Sequence, residues 1–179
     1  PSIVLLSPIP EVSGVTINNA TSMVLVGNAT TTIYVNFAVQ DSDGCSDVFT
    51  SGNVTSTIYR SGLSATCTAD NQNCYRVSTS THNCGAGTSA NATSTFEIYW
   101  FADATDASSS YASQNWLALA EARDGSSNVG TGTSSGVELL TLLAIDVTTS
   151  SLNYGTMSPS STSGAANQVL SVQNAGNAS

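Results

Sequence analysis

Apolar and polar residues alternate one by one along several segments of this chain. Such alternation is typical of β-strands that bury one face, because successive side chains point to opposite sides of a sheet. Clusters of turn-forming residues at 41–44, 83–87 and 124–128 separate the segments. The segment 116–123 contains good helix formers, but its flanking turns favour a strand. The expected inward sets are Ile33, Val35, Phe37 and Val39, then Phe96, Ile98 and Trp100, then Trp116, Ala118, Ala120 and Ala122, with a further strand at 54–59.

Many short strands with regular turns predict a β-sandwich. Residues 116–130 (WLALAEARDGSSNVG) resemble the closing strand and turn of bacterial and microbial cell-surface immunoglobulin-like domains of the Big/PKD type. Residues 15–43 are similar to the opening strands of that family, and the pair Asp106 and Tyr111 resembles its tyrosine corner. The resemblance covers about residues 12–142. It implies an all-β, immunoglobulin-like sandwich with a disulfide-containing insertion at about residues 45–84.

Residues 143–179 look like the start of a second immunoglobulin-like module, too short to close a core of its own. Either the native chain continues with further domains of the same surface protein, or another chain completes this unit. The first 11 residues contain a free apolar strand, followed by Pro8 and Pro10, which detach it from what comes next. The residues of this candidate assembly strand are Ile3, Val4, Leu5 and Leu6.

These two ends suggest donor-strand exchange, in which residues 2–6 of one copy add to the incomplete unit of the next. Such a head-to-tail contact does not close on itself, so copies of the chain would form a filament. The alternative is that residues 3–6 form the first strand of their own domain or an interdomain strand.

The composition favours a secreted, extracellular protein. Ser and Thr number 30 and 23 of 179 residues, lysine is absent, and only 8% of residues are charged, against roughly 25% in an average domain. The net charge of −9 with three arginines leaves no basic patch, so we expect neither nucleic acid nor an anionic membrane surface as a partner. The longest apolar stretch, 137–147, is too short to span a bilayer, so no membrane insertion is expected.

The four cysteines predict disulfides, because their spacings and a single histidine do not match a zinc site. Cys67 and Cys74 flank a run of turn formers, so a bridge between them would close a short hairpin, leaving Cys45 to pair with Cys84. Disulfides imply an oxidising compartment.

Three carboxylates close together in sequence form the one candidate metal site. Asp41, Asp43 and Asp47 surround Gly44, and clustered oxygen ligands with a sharp turn suit Ca²⁺. Asp103 and Asp106 would add ligands if the fold brings them close. The alternative is an Asx turn in which each carboxylate caps local N–H groups. No other cofactor is expected.

Two features point to carbohydrate. Glycosylation sequons occur at Asn19, Asn28, Asn53 and Asn91, with a fifth at Asn177. A row of outward rings would stack on sugars, and the candidate rings are Tyr34, Tyr59, Tyr99 and Phe101. The alternative, which is commoner, is that these rings fill a second interface or cover neighbouring loops.

Candidates for catalysis are sparse, and we expect no enzyme. His82 lies in a polar loop without a partner motif, and Glu97 and Glu121 fall on outward strand positions. The sequence thus predicts a structural subunit or stalk segment of a microbial surface protein, assembling head to tail. The alternative is an adhesin or a carbohydrate-binding module that takes glycans as partners.

Overall fold

The computed structural model describes residues 7–51, 53–77, 80–154, 156, 158–160 and 169–178. In these ranges the regular secondary structure is almost entirely β-strand. Two short turns are helical, a 3₁₀ turn at Asn18–Ala20 and a π-helical turn at Asp47–Ser51. The strands are β1 (Glu11–Ile17), β2 (Thr30–Gln40), β3 (Asn53–Arg60), β4 (Cys74–Val77), β5 (Thr81–His82), β6 (Ser89–Tyr99), β7 (Trp116–Arg123), β8 (Val129–Thr133), β9 (Ile145–Val147) and β10 (Val172–Asn174).

Eight strands form two four-stranded antiparallel sheets. The first sheet has the order β1-β2-β6-β5 and the second has the order β4-β3-β7-β8. In the first sheet β2 and β6 pair over their full length of 11 residues. The first sheet thus contains β1, β2, β5 and β6, and the second contains β3, β4, β7 and β8. An immunoglobulin-like sandwich distributes its strands between two sheets in this way. The predicted fold class is confirmed. β9 and β10 form a separate two-stranded sheet.

The core lies between the two sheets, and the alternating pattern identified most of it. The inward residues of β2 and β7 are no more than 3% exposed, and Phe96 and Ile98 of β6 are equally buried. The choice of strand over helix for 116–123 is confirmed by β7. Trp100 departs from the pattern, because β6 ends at Tyr99 and Trp100 lies half-buried in the following turn.

One edge of the sandwich is closed by the approach of β1 to β8. Gly130 and Gly132 pair with Ala122 and Ala120 of β7. A Cβ on Gly130 would lie 1.7 Å from the carbonyl oxygen of Pro10, which immediately precedes β1. The absence of a side chain at residue 130 therefore allows the backbones of the two sheets to come into contact.

The two disulfides join Cys45 to Cys84 and Cys67 to Cys74, with Cα–Cα separations of 5.8 and 6.3 Å. The predicted pairing is confirmed. The second bridge closes a loop, in which Asp70 caps the turn, rather than a two-stranded hairpin. Residues 45–84 carry β3, β4 and β5 and so contribute directly to both sheets. The disulfides indicate that the chain folds in an oxidising environment.

A buried ion pair spans the end of the second sheet. The Nε atom of Arg60 donates to Oδ2 of Asp103 at 3.0 Å, and both residues are 8% exposed. The guanidinium also lies 3.7 Å from the ring centroid of Tyr111 and donates to Gln114. Trp116 donates its indole N–H to the backbone carbonyl of Asp103. This network ties the β6–β7 loop to β3.

Asp106 and Tyr111 do not form the tyrosine corner that the resemblance implied. The Asp106 carboxylate accepts hydrogen bonds from the backbone and hydroxyl of Thr141 and from Ser108. The hydroxyl and backbone of Thr141, with the help of Ser108, outweigh burial and lower the pKa of Asp106. Tyr111 instead packs its ring against Arg60. Asp106 therefore anchors the segment that leads to the C-terminal hairpin.

Candidate functional site

The strongest candidate site is the apolar surface of the C-terminal hairpin. β9 and β10 pair antiparallel, with Val172 opposite Val147. Leu143 lies two residues before β9, and in β9 Ile145 and Val147 point to one side, since alternate residues of a strand share a face. They are 83%, 74% and 48% exposed, and Val172 is 51% exposed. Eight of the 14 exposed large hydrophobic residues in the described part of the chain lie between residues 143 and 172. We call Leu143, Ile145, Val147 and Val172 the hairpin face.

A specific junction holds the hairpin on the sandwich. The backbone N–H of Asn28 donates to the carbonyl of Ala175, and its side chain donates to Asp146. Asn177 is the centre of the junction. Its Oδ1 accepts the N–H of Leu142 at 2.6 Å, while its Nδ2 donates to the carbonyls of Ala102 and Leu140.

Two glycines allow the junction to be this tight. A Cβ on Gly176 would lie 2.1 Å from the carbonyl oxygen of Leu142, and one on Gly27 would lie 3.0 Å from the Cβ of Ala144. Gly176 and Ala175 are buried. The base of the hairpin is thus packed while the hairpin face is left open to solvent.

Ser7, the first described residue, lies at the opposite end of the sandwich. Ser7 donates its hydroxyl to Asp43 and Asp124, and its carbonyl accepts from Asn128. Asp43 follows the end of β2, whereas Asn28, at the hairpin junction, precedes its start. With a rise of about 3.3 Å per residue, the 11 residues of β2 separate the two ends by roughly 33 Å. The predicted donor residues 3–6 lie outside the described residues.

The predicted calcium ligands are only partly brought together. Asp41 and Asp47 lie with Asp124, a residue that the sequence did not suggest, and one carboxylate oxygen from each is within 4.8 Å of the others. Asp43 is not part of this cluster; its side chain is exposed and accepts from Ser7. Asp103 pairs with Arg60 elsewhere.

The pKa values of Asp41 and Asp124 are shifted in opposite directions. Burial raises the pKa of Asp41, and the charges of Asp47, Asp43 and Asp124 raise it further, against one opposing hydrogen bond from the Asp43 N–H. Burial also raises the pKa of Asp124, but hydrogen bonds from Asn128, Ser7 and Ser126 outweigh it, so the net shift is downward. The same cluster therefore contains one carboxyl group with a raised pKa, Asp41, and one with a lowered pKa, Asp124.

The four predicted glycosylation sites are exposed. They are Asn19, Asn28, Asn53 and Asn91, and their modification stays a prediction. Asn177 differs, because its Nδ2 already donates two hydrogen bonds in the junction. An N-linked sugar replaces one of the two hydrogens of this amide, so the modified residue would lose at least one of the two bonds.

The aromatic row is shorter than predicted. Tyr59 is wrong as an exposed ring, since it is only 7% exposed. Tyr99 and Phe101 stack with ring centroids 5.2 Å apart and are each more than a third exposed. Tyr34 is exposed on the same outer sheet face as Tyr99, because Tyr34 pairs with Thr95 and Thr30 with Tyr99. Phe101 borders a cleft of about 250 Å³ that Asp103, Ser108 and Tyr111 also line.

The residues weighed for catalysis have structural contacts. His82 stacks on Phe49 with centroids 4.2 Å apart, and its Nδ1 accepts the N–H of Cys84. Glu97 on β6 accepts from Thr32, whereas Glu121 on β7 pairs with Arg123. The two glutamates lie on different sheets. That the chain is not an enzyme stays a prediction.

No family model, no curated protein and no solved structure matches this chain. In the described residues no helix is long and apolar enough to cross a membrane. We therefore argue function from the hairpin face, the two ends of the sandwich and the acidic cluster.

Proposed function

We propose that this chain is a structural subunit of a secreted microbial surface filament, which assembles head to tail through its hairpin face. The observation that carries the proposal is the set of exposed apolar side chains on β9 and β10, held on a packed base. A two-stranded hairpin alone is marginally stable in water and gains stability from a further strand or layer that covers its apolar face. The exposed face is therefore a surface that needs an occupant.

The occupant we propose is residues 2–6 of a second copy. This segment contains four consecutive large apolar residues and no charge. Added as a strand, it would place alternate side chains on the hairpin face, and burying two of them contributes about 3–6 kcal/mol, with backbone hydrogen bonds in addition.

The geometry of the sandwich favours a polymer over a closed dimer. Ser7, from which the donor segment leaves, and Asn28, which holds the hairpin, lie at opposite ends of β2. A donor at one end and an acceptor at the other give a heterologous contact, which repeats along an axis. The hydroxyl-rich, lysine-free surface and the two disulfides suit a long-lived extracellular object.

The test uses two variants that each block one side of the contact. Deletion of residues 1–6 removes the donor and leaves Ser7 in place, while Val172→Lys places a charge on the hairpin face. We expect each variant alone to be monomeric by light scattering. Burial of an apolar side chain contributes about 1.5–3 kcal/mol to binding, so its loss in Val172→Lys is expected to raise the dissociation constant of the contact at least tenfold. Mixing them is expected to yield heterodimers, since each retains the surface that the other lacks.

Gln173→Lys is the matched control, because Gln173 is the neighbouring exposed residue on the opposite side of the same strand. This control is expected to form filaments like the parent chain in negative-stain microscopy. Long fibres from the deletion variant would contradict the proposal. So would a parent chain that stays monomeric at high concentration, the result expected if a following domain of the same polypeptide covers the hairpin face.

Carbohydrate binding is the second candidate function, favoured by the stacked pair of Tyr99 and Phe101 beside the polar cleft. Exposed rings stack on the apolar faces of sugars, and the hydroxyls of Ser108 and Ser110, which also line the cleft, offer hydrogen-bond partners. We expect Phe101→Ala to lower the affinity for a bound glycan at least tenfold on an array, and Tyr34→Ala, a lone ring on the same face, to have a smaller effect. A parent chain that binds no glycan would contradict this candidate.

A further inference from the structure

The acidic cluster at the Ser7 end of the sandwich contains two carboxylates from one loop and one from another. Asp41 and Asp47 belong to the loop after β2, and Asp124 begins the β7–β8 turn. One oxygen of each carboxylate lies within 4.8 Å of the other two. Like charges at this distance repel one another, so the arrangement needs compensation.

A separate observation indicates a missing partner at this place. Asp41 is 1% exposed, and its Oδ1 accepts the N–H of Asp43, but its Oδ2 is buried without any hydrogen-bond partner in the described structure. A buried carboxylate oxygen without a partner is costly, because burial removes its hydration without replacing it. The ion pairs formed by described residues, Arg60 with Asp103 and Arg123 with Glu121, do not include the cluster.

We propose that Asp41, Asp47 and Asp124 form a calcium-binding site. Ca²⁺ takes oxygen ligands at about 2.3–2.6 Å, so two ligands of one ion are at most about 5.2 Å apart, and three oxygens within 4.8 Å of one another can share one ion. Mg²⁺ demands near-ideal octahedral geometry and usually keeps several waters, so a group of protein carboxylates suits it less well. The ion would supply the partner that Asp41 Oδ2 lacks and neutralise the repulsion.

The site is held rigidly by the surrounding chain. The Cys45–Cys84 disulfide and the hydrogen bond from the N–H of Cys45 to the carbonyl of Gly87 fix the first loop. Asn128 and Ser7 donate to Asp124 and orient its carboxylate. All three ligands lie on one sandwich, so the proposal does not depend on self-assembly.

The test measures Ca²⁺ binding directly. We expect calorimetric titration of the EDTA-treated parent chain with CaCl₂ to give one site, and Ca²⁺ at about 100 times its dissociation constant to raise the Tm by about 5–10 °C. MgCl₂ is expected to give a smaller shift. Asp41→Asn is expected to abolish the Ca²⁺ shift and, by removing a buried charge without a partner, to raise the Tm of the ion-free protein by about 2–4 °C. A variant that loses the Ca²⁺-induced shift while its ion-free Tm rises has lost a metal ligand and is still folded.

Two variants serve as controls. Asp43→Asn lies beside the cluster and Glu138→Gln on an exposed position, and each removes one negative charge. Both are expected to keep the Ca²⁺ shift, whereas Asp47→Asn is expected to reduce binding at least tenfold. The proposal is overturned if the parent chain shows no Ca²⁺ response, if Asp41→Asn binds Ca²⁺ like the parent, or if Mg²⁺ gives the same shift.

Discussion

Replacing Gly130 with alanine is expected to destabilise the folded chain by at least about 3 kcal/mol, beyond the ordinary range for a surface strand. The added Cβ would lie 1.7 Å from the carbonyl oxygen and 2.7 Å from the carbonyl carbon of Pro10. Both atoms belong to backbone, so no side-chain rotation relieves the contact. The segment before β1 would have to move by more than an ångström to restore even a 3.0 Å contact. That movement would pull β1 away from β8.

The measurement is the free energy of unfolding from urea denaturation. Gly85→Ala is the matched control, since a Cβ there meets nothing within 4 Å, and we expect it to change the free energy of unfolding by less than about 1 kcal/mol. If Gly130→Ala is as stable as the parent chain, the close approach of β1 to β8 is wrong. If both variants lose stability equally, the effect belongs to glycine substitution in general and not to this contact.

Local periodicity predicted the sheets well because it depends on neighbouring residues alone. Ile33, Val35 and Phe37 share a face whatever lies on the other side of the core. The contact at Gly130 was not visible in the sequence, since it depends on how close two sheets come at one edge. A glycine in a strand signals close approach or a bulge, but Gly130 and Gly132 are followed by a Ser- and Gly-rich stretch that reads equally well as a turn.

The candidate sites also include residues that the sequence alone did not bring together. Asp41 and Asp47 were found because they lie near each other in sequence, whereas Asp124 comes from a turn on the other sheet. Asp43 is only two residues from Asp41 in sequence, yet its exposed side chain lies outside the cluster. Asn177 appeared only as a sequon, although its amide forms the centre of the hairpin junction. Contacts between distant segments require the fold itself.

The burial of Arg60 could not be predicted from the sequence either, and it affects the stability of the fold. An arginine at the end of a strand is usually exposed, yet Arg60 is buried against Asp103, which lies in the β6–β7 loop. The hydrogen bond from Gln72 to Oδ1 of Asp103 adds a second donor to the same carboxylate. The network therefore depends on three segments that are far apart in sequence.

We expect Arg60→Met to cost about 3–5 kcal/mol in the free energy of unfolding, because it leaves the Asp103 carboxylate buried without its cation. The methionine retains part of the apolar packing against Tyr111, so the loss reports mainly on charge. Arg76→Met is the matched control. Arg76 is exposed and reaches only the carbonyl of Cys67 at 3.5 Å, so its replacement is expected to change stability by less than about 0.5 kcal/mol.

The double variant Arg60→Met with Asp103→Asn decides whether charge is the cause. Neutralising Asp103 removes the unpaired charge that Arg60→Met creates, while the asparagine can still accept from Gln72. We therefore expect the double variant to be more stable than Arg60→Met alone, with a coupling energy of at least about 2 kcal/mol in the mutant cycle. Additive effects of the two substitutions would instead mean that Arg60 acts through its packing on Tyr111 and Gln114. The ion pair would then fix the position of the β6–β7 loop without contributing to the free energy of unfolding.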